Sequence, residues 1–244
     1  MAHRLPKVVR VARWLAAEQV PAVRLLPAVP APVTVGGARA TIWVDAGPGG
    51  PRPPDGADLG QALRRLHALR PPPGLDLPRW DPMDDVRRRL SDAEALAPAD
   101  RAFLEARTDE VTAALRTVRY RLPTTVIHGD AHLNNLITTL DGQVLLCDFD
   151  SVSLGPAEWD LIPVAVGRLR FGHPPDRHAQ LAAGYGVDIT TWEGFPVLRA
   201  VRELKLVTSV LPILASNPTA AAQFRVRFDS LRAGDSTARW SPYQ

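Results

Sequence analysis

The sequence predicts an α+β chain in which a small helix-and-strand part is joined by a breaker-rich linker to a larger, mainly helical part. Three observations lead to this prediction. Apolar residues recur at helical spacing near the start and again over most of the second half. Residues 46–56 (AGPGGPRPPDG) are turn and breaker residues. One hairpin signal, an Asp-Gly pair between two runs of β-formers, interrupts the helical part at residues 136–150.

The first part, residues 1–46, is predicted to hold one helix and a pair of strands. Residues 7–19 place apolar side chains on one helical face, and Pro21 ends that pattern. Residues 22–26 and 40–44 are rich in β-formers, and glycines between them provide a turn. We take residues 47–56 as the linker to the larger part, residues 57–244.

The larger part is predicted to be helical on both sides of the hairpin. Helices are expected at 57–69, 82–95 and 98–119, and Pro98 suits the first turn of the third because its missing N–H does no harm there. From residue 157 to about 232 the pattern is helical again, with breaks near 172–175, 186–194 and 216–218.

The composition favours a globular protein without a nucleic-acid or membrane partner. With 244 residues, 45% of them apolar, the chain can bury the core of one large domain or two unequal ones. The net charge is +3, but the arginines are spread along the sequence, so we expect no nucleic-acid partner. No apolar run reaches the ~18 residues that span a bilayer, and we expect no membrane partner. Cys147 is the only cysteine, which favours a reducing, cytoplasmic location.

Polar side chains are concentrated in the stretch TVIHGDAHLNNLI, residues 125–137. In a two-residue hairpin centred on Asp141 and Gly142, Asn135 falls directly opposite Asp148, with Cβ atoms about 5 Å apart. A bulge would shift this register by one residue. An amide oxygen and a carboxylate at that spacing suit a hard cation such as Mg²⁺.

Asp130 lies five residues before Asn135, in the loop that enters the same hairpin. A carboxylate beside a metal-bound phosphate can accept or orient the proton of an incoming hydroxyl. The residues therefore predict that this loop presents a base and half of a metal site.

The order of these residues resembles a known family. His128, Gly129 and Asp130 are followed after four residues by Asn135 and then by Asp-Phe-Asp at 148–150, close to the pattern of a kinase catalytic loop. With GPAEWDL, VARWLAAEQVPAVRLL and LGQALRRLHAL, the sequence resembles the phosphotransferase enzyme family of aminoglycoside and choline kinases over most of its length. The resemblance implies a protein-kinase-like, two-lobed α+β fold with an incomplete N-terminal lobe and a mainly helical C-terminal lobe.

The resemblance also implies an activity, the transfer of the γ-phosphoryl group of ATP or GTP to a hydroxyl of a small molecule. Asp130 would be the catalytic base, and Asn135 and Asp148 would be Mg²⁺ ligands. Four further residues are expected to shape or support this loop and its metal site: His128, His132, Asp150 and Asp160. The residues that bind the nucleotide, the acceptor and the oligomeric state are not identified by the sequence.

Parts of the family pattern are missing. Such kinases use a glycine-rich turn over the phosphates and a strand lysine paired with a helix glutamate. Lys7 precedes the predicted helix instead of ending a strand, Lys205 lies far along the chain, and Val8 and Val9 stand where family members often carry the glutamate. Because the chain begins at this helix, we expect an N-terminally truncated lobe and weakened nucleotide binding.

Two other functions fit parts of the sequence. A catalytically inactive nucleotide- or ligand-binding relative would explain the missing lysine. A metal-dependent hydrolase would bind zinc or iron through His128 and His132 beside Asp130, although the remaining histidines form no ligand-spaced pair. Four acids of the later region are available to bind a cationic acceptor: Glu158, Asp176, Asp188 and Glu193.

Overall fold

The computed structural model describes residues 4–243, and within this range the chain forms eight α-helices and six short strands. The helices are α1 (Leu5–Ala17), α2 (Gly56–His67), α3 (Asp84–Ser91), α4 (Pro98–Leu115), α5 (Glu158–Phe171), α6 (Pro175–Tyr185), α7 (Phe195–Thr208) and α8 (Pro218–Arg232). The strands are β1 (Val33–Val35), β2 (Ala38–Ala40), β3 (Thr124–Ile127), β4 (Leu136–Thr138), β5 (Val144–Leu146) and β6 (Ser153–Pro156). The predicted helices are present, although α3 is shorter than the predicted 82–95.

The chain divides into two compact units. The first contains the residues up to Trp80, Leu122–Val164 and Asp176–Asp188, and the second contains Asp81–Arg121, Ala165–Pro175 and the residues from Ile189 onward. All residues assigned from the sequence to the base, to the metal site or to their support belong to the first unit. The lobe boundary expected at residues 47–56 stays a prediction.

Helix α1 packs an apolar face into the first unit. Val8, Val11 and Leu15 follow one another at helical spacing and are all buried. Pro6 lies in the first turn, where its missing N–H removes no helical hydrogen bond. The expectation that Lys7 precedes the helix is wrong, because Lys7 lies inside this first turn.

The strands of the first part are shorter than predicted. β1 and β2 form an antiparallel hairpin around Gly36 and Gly37, which both adopt the left-handed conformation that such turns require. The predicted strands 22–26 and 40–44 do pair with each other, but only over a single antiparallel bridge, from Leu25 to Trp43. The longer ladder is the hairpin β1–β2 itself, which the sequence did not predict as strands apart from Ala40.

Helices α2 and α6 approach each other closely because glycines line their contact. A Cβ atom at Gly60 would lie only 2.7 Å from the carbonyl oxygen of Leu181, so a larger residue there would push the helices apart. The contact brings His67, the last residue of α2, beside Tyr185, the last residue of α6.

Strands β3 and β6 form an antiparallel pair. The polar loop, residues 128–135, and helix α5 both emerge from this pair. Thr124 pairs with Pro156 and Ile127 pairs with Ser153, and Ile127 is fully buried. The polar loop follows β3 directly, and α5 begins two residues after β6. This pairing therefore anchors both segments that build the candidate site.

The hairpin β4–β5 forms where the Asp-Gly pair predicted it, but its loop has three residues instead of two. The backbone N–H of Thr139 donates to the carbonyl of Gln143, and that of Gly142 donates to the carbonyl of Thr139, both at 2.9 Å. Gly142 has φ +82°, the left-handed conformation that closes three-residue loops with a bulge. The hairpin prediction is confirmed, and the predicted two-residue loop is wrong.

The second unit is held by a buried ion pair between helices. Arg170 of α5 donates to both carboxylate oxygens of Glu203 in α7, at 2.7 and 3.0 Å, and Trp240 stacks on the guanidinium at 4.6 Å. Such bidentate pairs combine charge with fixed geometry.

In the described part of the chain, no helix is both long enough and apolar enough to cross a membrane.

Candidate active site

The polar loop is fixed from below by Asp160, in the first turn of α5. This carboxylate is fully buried and accepts the backbone N–H groups of His128, at 2.6 Å, and Gly129, at 2.8 Å. The Nε2 atom of His67 lies 3.0 Å from the same carboxylate. A carboxylate only accepts hydrogen bonds, so these three donors satisfy it without a paired cation. Asp160 therefore occupies the position expected of a residue that braces the loop.

His128 is a buried support of the same loop. Its Nε2 atom lies 2.8 Å from the carbonyl oxygen of Cys147, and its Nδ1 atom lies 3.4 Å from the backbone N–H nitrogen of Asp130. Both ring nitrogens are therefore engaged by backbone groups, which leaves neither for a metal ion. Among residues 4–243, no group of three or more His, Cys, Asp or Glu side chains is arranged to hold a metal ion. The engagement of both His128 nitrogens argues against the zinc or iron hydrolase, in which this histidine would bind the metal.

Gly129 lets the loop lie against the segment that follows the hairpin. It has φ +85°, and a Cβ atom there would lie 2.2 Å from the carbonyl oxygen of Ser151. The indole N–H of Trp159 donates to the carbonyl of Gly129 at 2.8 Å. A larger residue at this position would separate the loop from the 148–151 turn.

The side chains of Asp130, His132 and Asn135 lie close together in the loop. The amide nitrogen of Asn135 donates to the backbone carbonyl of Asp130 at 2.9 Å and lies 3.4 Å from Nε2 of His132. That same Nε2 atom lies 3.6 Å from a carboxylate oxygen of Asp130. Asn135 is buried, whereas the Asp130 side chain is 38% exposed and accessible to a reactant. The amide nitrogen of Asn135 therefore ties the start of the loop to its end.

The register of the hairpin places Asp148 one residue beyond the position predicted for it. Leu136 pairs with Leu146, and the N–H of Cys147 donates to the carbonyl of Asn135 at 3.0 Å. The prediction that Asn135 and Asp148 stand directly opposite is therefore wrong, because the three-residue loop shifts the ladder by one residue. Asp148 is instead the next residue after the one opposite Asn135.

Asp148 turns the chain out of the hairpin in an unusual backbone conformation. Its φ is +62°, in the left-handed region that costs an ordinary L-residue about 1–2 kcal/mol and that aspartate tolerates better than most. The backbone N–H of Asp150 lies 3.4 Å from its carboxylate. Backbone strain of this kind is concentrated at functional sites.

Lys7 ties α1 to this turn. Its ammonium donates to the backbone carbonyl of Asp150 at 2.6 Å and to that of Val152 at 2.9 Å. Burial and the nearby Arg4 lower the pKa of Lys7, while Asp150 opposes that shift. No sequence signal indicates this contact, because the partners of Lys7 are backbone atoms more than 140 residues away.

A cavity of about 570 Å³ adjoins the turn. Its apolar walls come from α1, the hairpin and the segments before the linker: Leu5, Val8, Val23, Trp43, Ile137 and Phe149. Asp148 and Asp150 lie in the same lining. Cys147 also contributes to the wall, and burial, with a smaller contribution from Asp148, raises the pKa of its thiol. The site thus combines an apolar recess with three carboxylates, those of Asp45, Asp148 and Asp150.

Several other side chains were assigned differently from the sequence or were missed. Glu158 is buried, and one of its carboxylate oxygens accepts the backbone N–H of Leu122 at 2.7 Å, so it does not present a free acid to an acceptor. A carboxylate oxygen of Asp188, another acid proposed for the acceptor, lies 3.5 Å from Nε2 of His178. The sequence analysis missed the contact of His67 with Asp160. His67 lies one helical turn after the buried Leu63, and a buried histidine needs a hydrogen-bond partner.

The sequence profile of the phosphotransferase enzyme family (APH) matches residues 2–203, most of the chain. The chain belongs to this family. No curated protein sequence gives a match. The expectation drawn from the loop, the hairpin and the GPAEWDL segment is therefore confirmed at the level of the family.

Solved structures show the same fold. A choline/ethanolamine kinase family protein from Mesorhizobium loti is 23% identical and matches with a TM-score of 0.62, over 95% of this chain and 79% of that protein. The choline kinase LicA from Streptococcus pneumoniae, 12% identical, gives a TM-score of 0.67 over 93% and 80%. An AMP-bound spectinomycin phosphotransferase, 14% identical, matches with a TM-score of 0.60 over 95% of this chain and 80% of that protein. At these identities the likeness concerns the fold, which is the predicted kinase-like α+β fold.

Proposed function

We propose that this protein transfers the γ-phosphoryl group of ATP or GTP to a hydroxyl of a small molecule, with Mg²⁺. One observation carries the proposal. The amide nitrogen of Asn135 donates to the backbone carbonyl of Asp130, so that a partly exposed carboxylate and a carboxamide belong to one loop. The register of the hairpin places Asp148 nearby, at the edge of an apolar cavity. A base, two oxygen ligands and a recess are among the parts that phosphoryl transfer uses.

Asp130 is assigned the role of orienting the acceptor hydroxyl and accepting its proton. Its carboxylate is accessible, and His132 lies 3.6 Å away, close enough to restrict its orientation. Asn135 and Asp148 would hold Mg²⁺, because amide and carboxylate oxygens are ligands that this hard cation prefers. When bound, Mg²⁺ neutralises charge on the β- and γ-phosphates. His128, Asp150 and Asp160 support this arrangement through their backbone contacts.

The cavity is assigned to the nucleotide. Its volume of about 570 Å³ falls in the range of small-molecule sites, and its apolar walls suit a purine base. We assign the acids in its lining to the side that would face the metal and the phosphates. Two structural relatives were solved with nucleotides, a spectinomycin phosphotransferase with AMP and an amicoumacin kinase with AMP-PNP and Ca²⁺. We place the protein in the cytoplasm, where ATP and GTP are present, with the linker at 47–56 between its two lobes.

The acceptor is proposed to be a small molecule that carries a free hydroxyl. Relatives of the same fold include choline, ethanolamine and spectinomycin kinases, so amino alcohols and aminoglycoside-type compounds form the first panel to test. Phosphoryl transfer from γ-labelled ATP or GTP is measured with Mg²⁺ for the wild type, Asp130→Asn and the control Asp76→Asn, an exposed acid of the same unit.

We expect Asp130→Asn to lower kcat by about 10²–10⁴-fold, the range for loss of a general base, while the control keeps its activity. Transfer that is unaffected by Asp130→Asn would contradict the assignment of the base.

A second candidate function, nucleotide binding without transfer, is favoured by Lys7. The sequence has only two lysines; Lys7 is engaged by two backbone carbonyls, and Lys205 belongs to the second unit. Neither therefore resembles the lysine that grips the α- and β-phosphates in kinases. Calorimetry with Mg²⁺ and AMP-PNP distinguishes the two functions: binding without transfer to any acceptor supports the second, and transfer excludes it.

A further inference from the structure

His67 lies between two polar side chains in the core of the first unit. Its side chain is 5% exposed; Nδ1 lies 2.8 Å from the hydroxyl oxygen of Tyr185, and Nε2 lies 3.0 Å from Asp160. The rings of His67 and Tyr185 also meet edge to face, with centroids 5.5 Å apart. The hydroxyl of Thr125 donates to the backbone carbonyl of His67 at 2.8 Å. Both the ring and the backbone of this histidine are therefore held in place.

The carboxylate of Asp160 restricts where a neutral imidazole carries its proton. A carboxylate cannot donate, so the bond to Asp160 requires hydrogen on Nε2. In a neutral ring Nδ1 is then an acceptor, and the hydroxyl of Tyr185 is placed to donate to it. In the other tautomer, the lone pair of Nε2 would face the carboxylate of Asp160 and the Nδ1–H would face the tyrosine oxygen.

We propose that the Tyr185 hydroxyl is a positioning group that holds His67 in the Nε2–H tautomer, and that it thereby keeps Asp160 directed at the catalytic loop. Asp160 accepts the N–H groups of His128 and Gly129, the two residues before Asp130. The hydrogen-bonded chain therefore runs from the end of α6 through the end of α2 to the loop. Its kinetic consequence rests on the proposed phosphotransferase activity, whereas its structural consequence does not.

The surroundings of Tyr185 keep its hydroxyl available as a donor. Burial, together with the nearby Asp160 and Glu158, raises the pKa of Tyr185 to about 12, so the hydroxyl is protonated at neutral pH. The close glycine-lined contact between α2 and α6 fixes the distance between the two rings.

Nitrogen NMR of the histidine rings tests the proposal without any assay of activity. In wild-type protein labelled with ¹⁵N, we expect His67 to show an unprotonated Nδ1 and a protonated Nε2. Tyr185→Phe, which keeps the ring and removes only the hydroxyl, should shift or broaden the Nδ1 signal and move the amide signals of His128 and Gly129. Tyr243→Phe is the matched control, since its hydroxyl bonds the carbonyl of Leu206 in the second unit.

Two NMR results would overturn the proposal. One is His67 found as an imidazolium or as the Nδ1–H tautomer in the wild type. The other is a Tyr185→Phe spectrum in which the His67 nitrogens and the amides of His128 and Gly129 stay where they are. Both results are independent of phosphoryl transfer, so an inactive protein would defeat the proposed function and leave this test intact.

A double-mutant cycle tests the kinetic consequence. His67→Gln keeps an N–H donor near the position of Nε2, and an amide has no second tautomer. We expect Tyr185→Phe alone to lower kcat about tenfold at unchanged nucleotide KM, because small displacements of reacting groups cost up to about a hundredfold. In the His67→Gln background the same substitution should change kcat by less than about twofold. An equal loss in both backgrounds would show that Tyr185 acts through packing, and the proposal would fail.

Discussion

Replacing Asp160 by asparagine should destabilise the protein although the two side chains have nearly the same shape. The carboxylate accepts three donors and is fully buried: the N–H groups of His128 and Gly129, and Nε2 of His67. In the amide, one of the two oxygens becomes an NH₂ group. If the NH₂ group replaces the oxygen that faces Gly129, the N–H of Gly129 loses its acceptor. If it replaces the other oxygen, the N–H of His128 and Nε2 of His67 both lose theirs.

The size of the effect follows from these lost acceptors. Each buried donor left without an acceptor costs about 1–3 kcal/mol, and bonds to a neutral amide are weaker than bonds to a carboxylate, so we expect a loss of about 2–4 kcal/mol. That is a large share of the roughly 5–15 kcal/mol by which native proteins are stable.

The free energy of unfolding can be measured by urea denaturation. Tryptophan fluorescence reports on the same region, because Trp159 and Trp80 lie 5.2 Å apart beside the loop. Asp76→Asn, at an exposed position of the same unit, is the control and should change stability by less than about 0.5 kcal/mol. If Asp160→Asn were as stable as this control, the carboxylate would not be the anchor of the loop, and the bracing role assigned to it would be refuted.

Two further predictions concern the turn and the cavity. Lys7→Met should remove the hydrogen bonds to the carbonyls of Asp150 and Val152, so that the amides of residues 148–152 exchange faster with deuterium. Lys7→Arg should recover part of the protection. Equal exchange in wild type and Lys7→Met would show that these hydrogen bonds are not required. Cys147 should react more slowly with iodoacetamide at neutral pH than a free cysteine, because burial and Asp148 raise its pKa, and its rate should rise only at higher pH as the thiolate forms. AMP-PNP with Mg²⁺ should block this reaction, and labelling that is indifferent to nucleotide would show that the cavity is not the nucleotide site.

Local sequence signals predicted the parts of the site that lie close together along the chain. The Asp-Gly pair identified the hairpin, and the spacing from Asp130 to Asn135 identified two residues that the structure joins through a hydrogen bond. The register was wrong because a third loop residue, Leu140, enters the turn and Gly142 closes it in the left-handed conformation. A dipeptide signal does not fix the loop length, and a change of one residue moves every partner across the strand.

Contacts between distant segments could not be read from the sequence. Tyr185 is 118 residues from His67, and their bond depends on the glycine-lined packing of α2 on α6. The partners of Lys7 are backbone carbonyls, which leave no side-chain signature. Periodicity predicts which face of a helix is buried, but it does not say which other element covers that face.

The central claim is that Asn135 and Asp148 bind one cation beside the base Asp130. Anomalous diffraction from crystals grown with Mn²⁺ and AMP-PNP locates that cation directly. We expect a peak about 2.1–2.2 Å from the amide oxygen of Asn135 and from a carboxylate oxygen of Asp148, with Asp130 close by and unbound. A metal ion held by His132 and Asp130, or one that contacts neither Asn135 nor Asp148, would contradict the account.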